Sequence, residues 1–249
     1  MRAVLAGTFL AVTLAVAGCG GGSHPSSTSS TGASGNGEAS KSAQKILVDA
    51  ANAASAATSV HIAGKVLSPT GKFGSGQIGN GQIALDLKIS EGVGATGSIT
   101  LGGQKVDLVI DGPDGYMKAP PEFWAKVGGS TQSTLVSMFG NKWVKFSANT
   151  PQFSGFKTFT NTKNFFTKLT SGTGTLTNTG TSTYQGQSVV SITSSAKPGT
   201  IYIAAEGKPY PVAIVSSGAT TGALSFTDWN TPVTITAPSG AIDFTGIGG

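Results

Sequence analysis

The 249-residue chain predicts an α+β domain: a large antiparallel sheet of about 11 strands, curled into a half-open β-barrel and wrapped over a few helices on its concave face. Three observations predict it. One alanine-rich segment repeats its apolar residues at helical spacing, and short period-2 runs separated by glycine-containing turns then continue almost to the end. The remaining helical stretches are confined to the middle. Strands arranged before and after helices, without regular alternation, exclude a parallel α/β sheet.

The first periodic segment runs from Ser42 to Thr58, with Ala43, Ile46, Leu47, Ala50, Ala54 and Ala57 on one face and no Gly or Pro inside. It is expected to be an amphipathic helix, slim where it packs because its buried stripe is mostly methyl groups. Strands are expected at Val60 to Val66, Gln82 to Ser90, Ala95 to Leu101 and Lys105 to Asp111. In the second of these Ile83, Leu85, Leu87 and Ile89 share one face, while Ala84, Asp86 and Lys88 share the other. Gly102 with Gly103, and the run Asp111, Gly112, Pro113, Asp114, Gly115, read as tight turns that force antiparallel neighbours.

Tyr116 to Ala119 continues as a strand, stopped by Pro120 and Pro121, which start a short helix carrying Phe123, Trp124 and Val127. Helices are expected again over Thr131 to Gly140 and Asn161 to Thr170, with a strand at Asn141 to Ser147 between them. The last third reads as strands: Gly174 to Tyr184, Gln187 to Thr193, Thr200 to Ala205, Tyr210 to Ser216, Ala223 to Trp229 and Val233 to Thr236.

The N-terminus carries a different signal. After Met1 and Arg2 an apolar stretch runs to Ala17, and at ~1.5 Å per residue it falls short of the ~30 Å hydrocarbon core that a spanning helix must cross. It reads as an export signal over residues 1–18. Val16, Ala17, Gly18 and Cys19 resemble the lipobox of bacterial lipoproteins, which implies a diacylglyceryl thioether on Cys19, the sole cysteine of the chain. Residues 19–42 are Gly, Ser, Thr and Ala with few interruptions, so they are expected to form a flexible lipidated tether. Residues 43–249 are left for one domain.

Only 11% of residues are charged, and no disulfide can form within the domain. Arg2 is the one arginine, so removal of the signal leaves fifteen lysines against eleven acidic residues and no guanidinium. Reading of phosphates or guanine edges leans on that planar fork, and the lysines are scattered, so a nucleic-acid partner is not expected.

Beyond the lipobox, the Ala-rich helix runs into Ala57, Thr58, Ser59, Val60, His61 and Ile62. Asp114, Gly115, Tyr116 and Met117 lead into Phe123 and Trp124. The hairpin around Pro209, Tyr210, Pro211 and Val212 precedes Phe226, Trp229 and a closing segment at Pro232. In this order and pattern the chain resembles the LppX/LprA/LprF/LprG-type lipoproteins of mycobacteria and other actinobacteria, whose fold is similar to the carriers LolA and LolB. The resemblance spans most of residues 43–240.

It implies an apolar cavity between sheet and helices that holds acyl chains of a lipid or lipoglycan. The protein would be a monomer anchored on the extracytoplasmic face of the membrane, with a lipid exporter as its donor. The alternating set read from the sequence supplies the expected lining: Ile83, Leu85, Leu87, Ile99, Leu101, Val106, Leu108 and Ile110, covered by Phe123, Trp124, Leu135 and Phe139. The competing expectation for these residues is a dry, filled core. In that case the chain would be a non-catalytic surface module that binds another protein.

Catalysis is not expected. His24 falls in the tether, and His61 sits in the first strand between Val60 and Ile62, where the alternation points it outward. Asp107 is likewise outward, and Asp111 and Asp114 are turn residues, so neither a metal site nor a cofactor is expected. Gly74, Gly76 and Gly79 precede a strand instead of opening a helix, so they do not form a phosphate cradle.

Overall fold

A computed structural model describes residues 35–68, 72–73, 76–77, 81–127, 131–149, 162, 166, 174–218 and 221–244. Cys19 and the apolar N-terminal stretch lie outside the described residues.

Helix α1 (Ala43–Ser55) begins where the Ser42 side chain accepts from the Lys45 backbone N–H, and it buries Ala43, Ile46, Ala50 and Ala54. It precedes β1 (Ser59–Ser68), the small ribbon β2 (Lys72–Phe73) and β3 (Gly76–Gln77), and the meander β4 (Gly81–Ser90), β5 (Gly94–Leu101), β6 (Gln104–Asp111) and β7 (Asp114–Lys118). Helices α2 (Pro121–Val127) and α3 (Gln132–Phe139) interrupt the strands before β8 (Trp143–Ser147). A second meander follows: β9 (Leu176–Tyr184), β10 (Gln187–Ser194), β11 (Gly199–Ala204), β12 (Pro211–Ser216) and β13 (Gly222–Thr227), with the short β14 (Ile242–Asp243) last.

Twelve strands form one curled, unclosed sheet in the order β14-β8-β7-β6-β5-β4-β1-β13-β12-β11-β10-β9, antiparallel except for the β14–β8 pair. Each meander follows from its short turns. The join between them does not: β1 lies between β4 and β13, so the chain's early and late segments zip together at pairs such as Ile62 with Phe226.

The pairing registers align the apolar faces into rows. One row runs Ile192, Ile201, Ile214, Leu224, Gly64, Leu85, Ile99, Val106, and another runs Phe226, Ile62, Leu87, Gly97, Leu108, Met117, Val144, Ile242. Gly64 and Gly97 sit in these rows with φ of 145° and 144°. A Cβ at either would come within 2.0 Å of a carbonyl oxygen, of Ala223 and of Asp86 respectively. Only glycine lets the strands approach so closely there.

Four expectations need correction or limits. Val233 to Thr236 is not a strand: the chain turns at Asp228 and Asn230, both with positive φ, and Ser59 Oγ donates to the Thr231 carbonyl at 2.5 Å. Both edges of β13 are already taken by β12 and β1, so the segment cannot pair beside it, and the chain next joins the sheet as β14 on β8. The strand expected from Asn141 begins at Trp143, because Asn141 takes a left-handed turn at φ 59°.

The fold also begins earlier than residue 43. Asn36 donates its backbone N–H to Ala205 O at 2.8 Å and its side-chain amide to Ala204 O, while the Asn178 amide donates to the Ala39 and Lys41 carbonyls. A 3-10 turn at Glu38–Ser40 lies within this docked piece. The helix expected over Asn161 to Thr170 falls outside the described residues except for Thr162 and Phe166, both buried.

Candidate functional site

The period-2 alternation places Ile83, Leu85 and Leu87 of β4, Ile99 and Leu101 of β5, and Val106, Leu108 and Ile110 of β6 on the concave face, all buried. Trp124 of α2 and Phe139 of α3 are buried against the same cluster, and Phe123 and Leu135 pack on it while half-buried. All twelve residues expected from the sequence therefore meet in one apolar cluster. The buried polar side chains on the strands, Ser59 and Ser191, are hydrogen-bonded, to the Thr231 carbonyl and to Ser182 Oγ; left unpaired, each would cost about 1–3 kcal/mol.

The cluster is wider than the sequence reading made it. Val60 and Ile62 of β1, Leu224 and Phe226 of β13, Met117, Val144, Phe146 and Phe166 belong to it as well. An aromatic wall continues from Phe226 to Phe166 at 4.8 Å between ring centroids, to Trp229 at 6.0 Å, and on to Tyr210 stacked on Trp229 at 4.6 Å. Period-2 spacing in Leu224 to Phe226 was a usable signal, but only the β1–β13 pairing puts these side chains beside β4.

Helix α1 closes the other half of the face. Ala43, Ile46 and Ala50 pack on Val190, Ile192, Ile201, Ile203 and Ala205 of the second meander. Its short alanines leave a cavity of about 20 Å³ lined by Leu47, Ala50, Ala51, Phe166, Ile201, Ile203, Pro211 and Ile214. That is room for a single water-sized group, and none of the twelve residues expected to line an acyl-chain cavity borders it: in this structure those twelve pack on one another as a filled cluster.

Two indoles make a contrast on this face. The Trp229 Nε1–H donates to the Pro211 carbonyl at 3.2 Å. Trp124 is 5% exposed, its rings flanked by Phe123 at 5.4 Å and Phe139 at 5.2 Å, and its Nε1–H is buried without an acceptor. Phe139 in turn packs edge-on to Phe244, beside β14. The Trp124 N–H is the one donor at this end of the cluster that the protein leaves unmet among the described residues.

The convex face is polar. His61 Nε2 lies 2.7 Å from Asp86 Oδ1, and Nδ1 lies 3.4 Å from Asp228 Oδ2 and from Thr227 Oγ1. Beside them an open groove of about 270 Å³ is lined by Asp86, Lys88, Thr96, Gly97, Ser98, Lys105 and Asp107. Asp107 is paired with Lys105 at 3.0 Å, so charges of both signs alternate along it. Among the described residues no three His, Cys, Asp or Glu side chains come together as metal ligands.

No family model matches the chain, and no curated protein matches it. Solved structures do. LprF from Mycobacterium bovis superposes with a TM-score of 0.51 and 16% identity over 83% of this chain and 100% of that one. The Mycobacterium tuberculosis lipoprotein LppX gives a TM-score of 0.48 and 23% identity over 78% of this chain and 99% of that one. At such identities the likeness is one of fold: the half-open barrel expected from the resemblance is the LppX/LprG-type fold that LprF also has.

Proposed function

We propose that this protein is a non-enzymatic envelope lipoprotein, anchored by an acylated Cys19, that holds the acyl chains of a lipid or lipoglycan against its concave face and carries or presents them. The observation that carries the proposal is the concave face itself: two apolar clusters that meet at Ile214 and together run from β10 to β8, covered by two separate helical pieces, α1 on one half and α2 with α3 on the other. A split cover opens more easily than a single continuous one, because each piece packs on its own part of the sheet. Every methylene moved from water onto such a face contributes about 0.8 kcal/mol, so long chains need no bond chemistry to bind. Delivery by an exporter and a monomeric state belong to the same proposal. Among the described residues no helix is long and apolar enough to cross a membrane, and the proposed anchor is the lipid on Cys19.

The test is native mass spectrometry with lipid extraction on the full chain produced in a mycobacterial host. A stoichiometric lipid is expected, lost when Leu85 or Leu108 is replaced by Trp. A chain that is repeatedly empty and takes up no added lipid would overturn the proposal and leave a protein-binding surface module in its place.

A further inference from the structure

We infer that the indole N–H of Trp124 is a hydrogen-bond donor reserved for the ligand, so that the ligand is a lipid with an acceptor oxygen next to its alkyl chain, as in an acyl ester, and not a bare hydrocarbon. The inference rests on the lipid-binding proposal and names the chemistry of what binds there.

Trp124 Nε1 is fully buried and meets no acceptor from the protein. Its neighbours of known contact are rings, Phe123 edge-on and Phe139 tilted, which offer bulk but no carbonyl or hydroxyl. Phenylalanine at this position would bring an aromatic ring into the same cluster without stranding a donor. The second indole of the face, the half-buried Trp229, is satisfied by a nearby backbone carbonyl. An oxygen arriving with the ligand would complete the bond at Trp124, and it would do so only when the ligand is in place. The donor also sits on α2, one of the covering helices, so the bond would draw the cover onto an oxygenated ligand.

The test compares the full-length wild type with Trp124→Phe, using methyl palmitate and octadecane, of matched length, delivered from cyclodextrin. In the wild type, methyl palmitate is expected to move the Trp124 indole N–H proton resonance downfield, and octadecane is not. On going from wild type to Trp124→Phe the ester is expected to lose about tenfold more affinity than octadecane does. Equal ester binding by the two proteins with no indole shift would overturn the inference while leaving lipid binding intact. Failure of both probes to bind wild type would overturn the inference together with the lipid-binding proposal.

Discussion

His61 Nε2 on β1 stands 2.7 Å from Asp86 Oδ1 on β4, and the opposite ring nitrogen stands 3.4 Å from Asp228 just beyond β13. One imidazole thus ties three segments together where the two meanders meet. Replacing His61 with Phe is expected to lower stability by about 0.5–1 kcal/mol, since the partners are largely exposed. A double-mutant cycle with Asp86→Asn in urea checks it: a coupling near zero would show that the contact holds nothing.

Gly97→Ala is expected to destabilise by at least about 2 kcal/mol. Its φ of 144° disfavours a side chain, and the added Cβ would press on the Asp86 carbonyl, which is backbone and cannot swing away. Urea midpoints measure it. A shift no larger than that of an exposed strand substitution would contradict the close approach of β4 and β5.

At the start of the fold, Lys41 bridges Glu38 at 2.7 Å and Asp49 at 2.8 Å, and Lys45 also reaches Asp49. The Lys41 ammonium, followed by that of Lys45, holds the Asp49 carboxyl below its usual value of 3.8, and Asp49, followed by Glu38, lifts Lys41 above 10.5. A depressed acid stabilises the fold above its unfolded value and stops doing so as pH falls through the folded one. The raised lysine acts in the opposite sense, stabilising below 10.5 and losing its effect as pH rises past its folded value. Asp49→Asn should therefore melt below wild type at pH 7, and the gap should close in acid below the carboxylate range. Thermal melts at both pH values would show it, and a gap that persisted unchanged in acid would rule the network out as its source.

The docked piece ahead of α1 depends on Asn36. Asn36→Ala removes three side-chain bonds, those donated to Ala204 O and Gly207 O and the one Oδ1 accepts from the Glu38 N–H, and is expected to speed exchange of the residue-36 amide about tenfold while β4 to β6 keep their protection. Hydrogen exchange by mass spectrometry reads both regions at once. Unchanged exchange at residue 36 would mean that the backbone bond to Ala205 suffices.

Much of the face was legible in advance because strand alternation is local. Ile83, Leu85 and Leu87 could face only one way once Asp86 and Lys88 faced the other, and Gly102 with Gly103 could only fold β6 back on β5. Val233 to Thr236 alternates just as well, yet forms no strand. Alternation marks a segment that could pair, and pairing requires a free edge, which depends on the whole sheet.

Asn36 and Glu38 misled for the converse reason. The segment 19–42 is too polar to form a core of its own, and local composition carries no trace of the carbonyls of Ala204 and Ala205 that hold its last residues. The aromatic wall of Phe166, Phe226 and Trp229 was hidden in the same way, since its members lie far apart in the chain.

What the sequence determined by itself was the type, order and inward face of most elements, because periods of 3.6 and 2 and tight turns act over a few residues. What only the tertiary structure decided was which distant partners meet: β13 on β1, β14 on β8, residue 36 on residue 205, and an indole at Trp124 left with no acceptor. Those outcomes are set by which edges and polar groups remain unclaimed once every nearer contact is made, a property that no stretch of the chain holds alone.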